Sequence, residues 1–287
     1  MAFNILEYRR KKGDLYKPYI EMIERKIKFD SISVNTKYGV INASIYYPNE
    51  RKEKMPVYFN FHGGGFVLNF YQQDGFICEE ISKVSDYMVV NIEYLVAPEH
   101  KFPIPVLSSA EFIVNFLKYN KKIDINHLAI GGFSAGGNIA IGTCLLLREQ
   151  YNIEIEKLIP VYAPMDFSID EESRNSEFPE LAITPERMKE YKEAYLNSEA
   201  DEINPLASPI YADTKMFPSM LIISAEFDSF RDEEERLAKK LLEEGKDVKY
   251  KCYSECTHGF THEIFNFNQK QAKKAINQIC LFLQGDD

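Results

Sequence analysis

Two hydrophobic periodicities alternate along the chain. Short apolar runs rich in β-branched residues, such as 128–132 and 220–224, are followed by longer segments in which apolar residues recur at helical spacing. This alternation is typical of a mostly parallel sheet that is covered by helices on both faces. The predicted strands are 26–34, 40–47, 57–61, 88–94, 128–132, 158–162, 220–224 and 248–253, and the predicted helices are 73–85, 105–119, 137–150, 231–244 and 268–282.

Three segments depart from the simple alternation. Residues 35–39 join the first two predicted strands without a helix, so these strands should form an antiparallel hairpin at the sheet edge. Residues of about 1–25 and 168–204 belong to neither strand nor crossover, and the second holds a short helical pattern at 185–195 between turn signals. We therefore expect one α/β domain over residues 1–287, with these two segments packed as a cap over one end of the sheet.

The composition narrows the class of protein. With 287 residues, of which 45% are hydrophobic and 27% charged, the chain can form a large core without disulfides or a structural metal. The 34 Lys and Arg residues against 44 Asp and Glu residues give a net charge of -10, which repels a phosphate backbone. Nucleic acid is therefore not an expected partner.

Cysteine usage and hydropathy suggest the compartment. The cysteines number five, an odd count, and are scattered, so we expect reduced thiols. The first residues are polar and lack the apolar stretch of a signal peptide. No segment approaches the ~18 uninterrupted apolar residues that a membrane span requires. These features predict a cytoplasmic protein with no membrane span.

The most informative motif is Gly132-Phe133-Ser134-Ala135-Gly136, where a predicted buried strand gives way to a helix. A G-x-S-x-G sequence at such a junction is typical of a nucleophile elbow, a turn too tight for side chains at its flanking glycines. The turn exposes the Ser134 hydroxyl and points the N-terminus of the next helix at it. A glycine-rich turn with an incidental serine is the alternative, so the motif needs supporting residues elsewhere.

A run of glycines after the third predicted strand is the first feature that supports Ser134 as a nucleophile. Three consecutive glycines follow His62, and they let main-chain N–H groups approach a ligand oxygen without obstruction. The N–H groups of Gly64 and Gly65, together with that of Ala135, would form an oxyanion hole. A phosphate-binding loop or a flexible turn are the alternatives, but neither phosphate-binding glycine signature is present.

A nucleophilic serine needs a general base, and the chain offers five histidines: His62, His100, His127, His258 and His262. The first three have structural explanations in the glycine loop, in a turn and before a buried strand. His258 follows the last predicted strand in a loop with Gly259, and we predict that it is the base. His262 forms a His-x-x-x-His pair with it, but no third metal ligand accompanies them. We therefore expect His262 to be a surface or cap residue, and we predict neither a metal nor a cofactor.

The acid that orients the base should follow a strand between the serine and the histidine. The segment 221–228 is a buried strand that ends in an aspartate, so Asp228 is our candidate. Glu226 and Asp232 are the competitors, although Asp232 lies in the first turn of the next helix, where an acidic residue already complements the helix dipole. The order Ser134, Asp228, His258 is that of α/β-hydrolases and differs from the orders in chymotrypsin and subtilisin.

With these residues assembled, the chain resembles the hormone-sensitive-lipase-like carboxylesterases, the HGGG-type branch of the α/β-hydrolase fold. The motifs that carry the resemblance over nearly the whole chain are His62 to Gly65, Tyr94 to His100, Gly132 to Asn138, Asn204 to Pro209 and Ala225 to Glu233. Phe133 is a departure, because much of the family has aspartate or threonine at this position.

The resemblance implies a function as well as a fold. It implies a serine carboxylesterase that hydrolyses short-chain acyl esters, with a small-molecule ester as substrate and an acyl-enzyme as intermediate. It also allows a homodimer through the last strand and helix. An amidase, formamidase or peptidase with the same triad remains an alternative. A ligand-binding homologue without activity is a further one, which the complete set of triad residues disfavours.

Overall fold

The computed structural model describes residues 4–174, 176, 178, 182–265 and 267–286. Residues 1–3, 175, 177 and 179–181 of the predicted cap therefore lie outside the described residues. Within the described ranges the chain forms one sheet of eight strands: β1 Asp30–Thr36, β2 Gly39–Tyr46, β3 Met55–Phe61, β4 Met88–Glu93, β5 Ile123–Phe133, β6 Lys157–Val161, β7 Ser219–Ala225 and β8 Val248–Tyr253.

The strands are ordered β1-β2-β4-β3-β5-β6-β7-β8. β1 and β2 form the predicted antiparallel hairpin at one edge, with Thr36 opposite Gly39 beside the turn, and β2 is antiparallel to β4. The remaining pairs are parallel. This is the predicted α/β-hydrolase fold with its mostly parallel sheet. β8 lies at the other edge, where the predicted homodimer would form; that dimer stays a prediction.

Helices cover both faces of the sheet. In the described ranges they are α1 Ile5–Lys26, α2 Gly75–Ser85, α3 Ile104–Tyr119, α4 Ala135–Tyr151, α5 Pro185–Tyr195, α6 Arg231–Glu243 and α7 Gln269–Gln284. Because strand side chains alternate between faces, Phe59 packs in one layer with α3, α4 and α6, whereas Tyr58 packs in the other with α2 and α7. The layers hold the carboxyl ends of the parallel strands in fixed positions. Of the described helices, none has the length and apolar character that a bilayer crossing needs.

Two strands begin four or more residues away from the predicted start. The first strand was predicted from residue 26, but α1 continues to Lys26 and β1 begins at Asp30. Ile23 and Ile27 are both buried, and the Ile27 N–H donates to the Ile23 carbonyl, so helical spacing of apolar residues extends the helix. β5 begins at Ile123 rather than 128, because Ile123 pairs with Met55 of β3 beyond a register shift, and the polar residues between 123 and 128 gave no apolar run to predict it from.

The two segments predicted as a cap contain α1 and α5. α5 coincides with the predicted helical pattern: Thr184 accepts the N–H of Arg187, and proline occupies the first helical position. The hydroxyls of Tyr8 on α1 and Tyr191 on α5 are 2.8 Å apart. A small apolar cluster joins both helices to Leu68 in the loop that follows β3. The two helices therefore contact each other above the glycine-rich loop.

Candidate active site

Ser134 occupies the sharp turn between β5 and α4. Its backbone has φ 54° and ψ -124°, a strained conformation for a residue with a side chain. The Ser134 N–H donates to the Val161 carbonyl at 2.8 Å, which fixes the turn against β6. A Cβ added at Gly132 or Gly136 would lie 2.4 or 2.1 Å from the Phe61 carbonyl oxygen. The two flanking glycines are therefore required, and the turn has the geometry of a nucleophile elbow.

The structure brings Ser134, His258 and Asp228 together from three loops at the carboxyl ends of β5, β8 and β7. The His258 Nε2 atom is 2.8 Å from the Ser134 Oγ atom, and the His258 Nδ1 atom is 2.7 Å from an Asp228 carboxylate oxygen. Because a carboxylate can only accept, Nδ1 carries the proton and Nε2 accepts the hydrogen bond of the serine hydroxyl. The arrangement can move a proton from the hydroxyl to the imidazole.

Asp228 is held in place by its own turn. Its side chain is fully buried, and its second carboxylate oxygen accepts the Phe230 N–H at 3.1 Å. The competitors lie elsewhere: the Asp232 side chain is 84% exposed and pairs with Arg231, and the Glu226 carboxylate accepts the N–H of Glu255 at 2.8 Å. Of the three acids considered, Asp228, in the turn after β7, is the one next to the imidazole.

The glycine-rich loop lies beside the serine. Gly64 and Gly65 have φ angles of 135° and 60°, which side chains disfavour, and the Gly64 carbonyl accepts the N–H groups of Val67 and Leu68. A Cβ added at Gly65 would lie 2.5 Å from the ring of Tyr191. Gly64, Gly65, Ser134 and Ala135 line the same cavity, so the three residues predicted to supply the donors share this cavity with the serine.

His262 is not a surface or cap residue, so that expectation was wrong. It is 3% exposed; its Nε2 atom is 2.9 Å from an Asp74 carboxylate oxygen, and its Nδ1 atom is 3.0 Å from the Tyr162 hydroxyl. The turn after His258 directs the His262 ring inward, where it forms a hydrogen bond with the buried Asp74 carboxylate. Within the described ranges, no group of three or more His, Cys, Asp or Glu side chains could hold a metal ion.

The buried polar network behind His262 was missed from the sequence. Asp74 also accepts a hydrogen bond from Asn60 at 2.8 Å, and Asn60 donates to Asn91 at the same distance. Both asparagines interrupt apolar strands, which is the signal that could have revealed the network. Phe133, the departure from the family pattern, packs beside it with its ring 4.8 Å from that of His262. An apolar contact therefore replaces the polar one expected in the elbow.

A second buried acid, Glu234 on α6, lies near Asp228. Its carboxylate accepts the Ala163 N–H and the Ser224 hydroxyl, both at 2.9 Å. Burial raises the pKa of Glu234 well above its usual range, and the negative charge of Asp228 acts in the same direction. Burial and the neighbouring Asp228 carboxylate therefore both disfavour the charged form of Glu234.

A cavity of about 440 Å³ opens at Ser134. The cavity is bordered by His258 and the glycine-rich loop, and also by three side chains of α1: Tyr8, Lys12 and Tyr16. The contribution of α1 was not predicted residue by residue. The volume of the cavity falls in the range typical of sites for small molecules.

Comparison with known proteins agrees with this geometry. A model of the α/β-hydrolase fold family matches residues 58–262. A curated arylesterase of Saccharolobus solfataricus is 31% identical over 206 residues, covering 70% of this chain and 66% of that protein. A putative α/β hydrolase of Acanthamoeba polyphaga mimivirus is 28% identical over 230 residues, covering 78% of this chain and 65% of that protein. The matches thus span just under two thirds of these relatives' own lengths.

Solved structures extend the similarity to the whole chain. A hyperthermophilic esterase of the archaeon Pyrobaculum calidifontis superimposes with a TM-score of 0.88 at 27% identity. The match covers 99% of this chain and 91% of that one. The resemblance drawn from the motifs is thereby confirmed. The chain belongs to the α/β-hydrolase family that contains the hormone-sensitive-lipase-like esterases.

Proposed function

We propose that the protein is a serine carboxylesterase that hydrolyses short-chain acyl esters of small molecules. The observation that carries the proposal is the pair of hydrogen bonds from Ser134 through His258 to Asp228, at 2.8 and 2.7 Å, beside a ligand-sized cavity. The similarity to an arylesterase and to an archaeal esterase supports the same reaction class.

In the proposed first step, His258 takes the Ser134 proton at Nε2 while the serine oxygen bonds to the ester carbonyl carbon. The carbonyl π electrons move onto the carbonyl oxygen, which the N–H groups of Gly64, Gly65 and Ala135 stabilise. When the tetrahedral intermediate collapses, the bond to the alcohol oxygen breaks and His258 returns the proton to that oxygen. The alcohol leaves, and Ser134 holds the acyl group.

In the second step, a water molecule replaces the alcohol. His258 removes a proton from the water as its oxygen attacks the acyl carbon, and the same N–H donors stabilise the new oxyanion. Collapse of the intermediate releases the carboxylic acid, and Ser134 regains its proton from His258. Asp228 stays ionised and holds the imidazole in the tautomer that each step needs. One ester and one water give one acid and one alcohol.

We further propose that the segments of about 1–25 and 168–204 act as the cap of this site. Tyr8 and Tyr191 meet over the glycine-rich loop, and Met188 and Ile183 border the cavity beside them. These side chains limit the space open to an acyl chain. A small, partly apolar cavity favours short acyl groups over long ones.

The experiment that tests the proposal is a series of p-nitrophenyl esters from acetate to decanoate, with the matching p-nitroanilides in parallel. We expect kcat/KM to be highest for short acyl groups and anilide hydrolysis to be far slower. A preference for anilides would support the amidase alternative. Turnover of neither series by folded protein would contradict the esterase proposal and favour a ligand-binding homologue.

The proposed oxyanion hole predicts a large effect of Gly65→Ala. The new Cβ would meet the Tyr191 ring at 2.5 Å in a backbone conformation with φ 60°. Because the Tyr191 hydroxyl is fixed to that of Tyr8 at 2.8 Å, we expect the loop to move, and its N–H groups with it. Loss of one such donor typically lowers kcat by about 10²- to 10³-fold, and kcat measured with p-nitrophenyl acetate checks this.

Gly245→Ala is the matched control. Gly245 also has a positive φ of 74°, but a Cβ there meets nothing within 4 Å. It lies in the turn between α6 and β8. We expect this variant to lose only the stability that an unfavourable backbone conformation costs, about 1–2 kcal/mol, and to keep its kcat. Equal kcat values for the two variants would contradict the assignment of Gly65.

A further inference from the structure

The cavity beside Ser134 is more positively charged than the chain as a whole. Leaving histidines aside, four basic side chains and one acidic side chain border it among the described residues: Lys12, Arg174, Arg187, Lys192 and Glu171. The whole chain has a net charge of -10. A cationic site in an acidic protein attracts anionic ligands and not merely apolar ones.

Three of the four cations, Arg174, Lys192 and Arg187, form ion pairs within the protein. Arg174 forms a buried ion pair with Glu233 at 3.0 Å, and Lys192 pairs with Glu171 at 2.6 Å. Their charges are therefore largely balanced. The local excess lies at Lys12 of α1, which is next to the paired Arg187 of α5.

Lys12 and Arg187 lie on the same aromatic ring. The Lys12 Nζ atom is 5.8 Å from the centre of the Tyr8 ring, and the Arg187 Cζ atom is 4.5 Å from it. Arg187 also pairs with Glu190 at 2.9 Å. For Lys12, burial and the charge of Arg187 both lower the pKa, and no carboxylate of a described residue acts in the opposite direction. Two like charges thus share a half-buried place where an anion would stabilise both.

An aromatic wall connects these cations to the glycine-rich loop. The Tyr191 ring lies against Gly65, where an added Cβ would be 2.5 Å away. The Tyr191 hydroxyl is 2.8 Å from that of Tyr8, whose ring carries the two cations. A ligand along this wall would place one end at Ser134 and the other at Lys12 and Arg187.

We propose that the preferred substrates are esters that carry a second, ionised carboxylate, which Lys12 and Arg187 bind while Ser134 attacks the ester carbonyl. Monoesters of dicarboxylic acids and acylated hydroxybenzoates are such compounds. This inference rests on the proposed esterase function and specifies its substrate class. The charged group remote from the reacting carbonyl supplies binding energy and orientation.

The test compares substrates that differ only in this charge. On the acyl side, p-nitrophenyl hydrogen adipate is compared with p-nitrophenyl methyl adipate. On the alcohol side, 4-acetoxybenzoate is compared with its methyl ester. We expect a higher kcat/KM for the anionic member of at least one pair, and the pair that shows it identifies the side of the ester that faces Lys12. Because the attraction is electrostatic, the preference should weaken in high salt.

Two variants connect the preference to these side chains. Lys12→Gln and Arg187→Gln should each reduce the anionic-to-neutral ratio of kcat/KM by about 10-fold, the value of one charge-assisted hydrogen bond, mainly through KM. Lys17→Gln is the matched control, because this lysine is also on α1 but its side chain is 71% exposed. Free adipate should inhibit the wild type competitively, which tests the site without relying on a variant.

The outcomes separate this inference from the function on which it rests. Hydrolysis of the neutral esters with no preference for the anionic ones, and no inhibition by adipate, would overturn the anionic substrate class alone. If Lys12→Gln and Arg187→Gln leave the anionic-to-neutral ratio of kcat/KM unchanged, the anionic substrate class is likewise overturned. Failure to hydrolyse either member of both pairs would overturn the esterase function itself.

Discussion

Ser134→Ala removes ester hydrolysis almost completely, with kcat expected to fall by roughly 10⁴- to 10⁶-fold. In the proposed mechanism the serine oxygen forms the acyl-enzyme, and alanine offers no nucleophile to the carbonyl. Alanine keeps the Cβ that the strained turn already accommodates, so the elbow itself should be preserved. Release of p-nitrophenol from p-nitrophenyl acetate, by wild type and variant at equal concentration, measures the effect.

Two observations accompany this experiment. Circular dichroism and thermal unfolding should be the same for both proteins, since Ser134 contributes its backbone N–H to the fold and that group remains. An organophosphonate should add one covalent adduct to the wild type and none to the variant, as mass spectrometry will report. Activity of Ser134→Ala near that of the wild type would mean that another group is the nucleophile.

The second large effect is expected for Asp228→Asn, with a loss in kcat of about 10⁴-fold. An asparagine amide can donate to His258 Nδ1, which stabilises the tautomer with its proton on Nε2. That proton would point at the Ser134 oxygen, so the imidazole could no longer accept from the hydroxyl. The rate should recover partly at high pH, where hydroxide replaces the base. A pH profile of kcat therefore separates this tautomer effect from simple misfolding.

Asp232→Asn is the matched control for that variant. Asp232 is the sequence competitor, yet its side chain is exposed and pairs with Arg231. We expect its replacement to leave kcat unchanged, because an exposed ion pair contributes little to stability and nothing to the imidazole. A severe loss in Asp232→Asn together with a mild one in Asp228→Asn would reverse the assignment of the acid.

Much of the fold and the candidate site was predictable because both follow from local pattern. Buried parallel strands have distinct apolar runs, and their carboxyl ends meet at one edge of the sheet. Ser134, Asp228 and His258 each directly follow such a run or the turn after it. The glycines of the elbow are visible as well, because the close approach of the Phe61 carbonyl permits no other residue.

The rest depends on contacts that no local pattern encodes. His262 finds its partner Asp74 at a separation of 188 positions, so its burial could not be foreseen from its neighbours. The sequence of α1 is largely polar, so a cap could be predicted there, but that Tyr8 and Lys12 border the cavity became visible only in the structure. For the same reason, Lys12 looks like an ordinary surface lysine in the sequence.

The wide spacing of the site along the chain has a consequence for how activity arises during folding. Ser134 and His258 are 124 positions apart, so their hydrogen bond forms only after a long loop has closed. Helices form from local contacts, whereas this pair needs β5 and β8 in their final order within the sheet. An intermediate that lacks β8 would be rich in secondary structure and still inert. Hydrolysis is therefore a reporter of completed topology, and regained helix content is not.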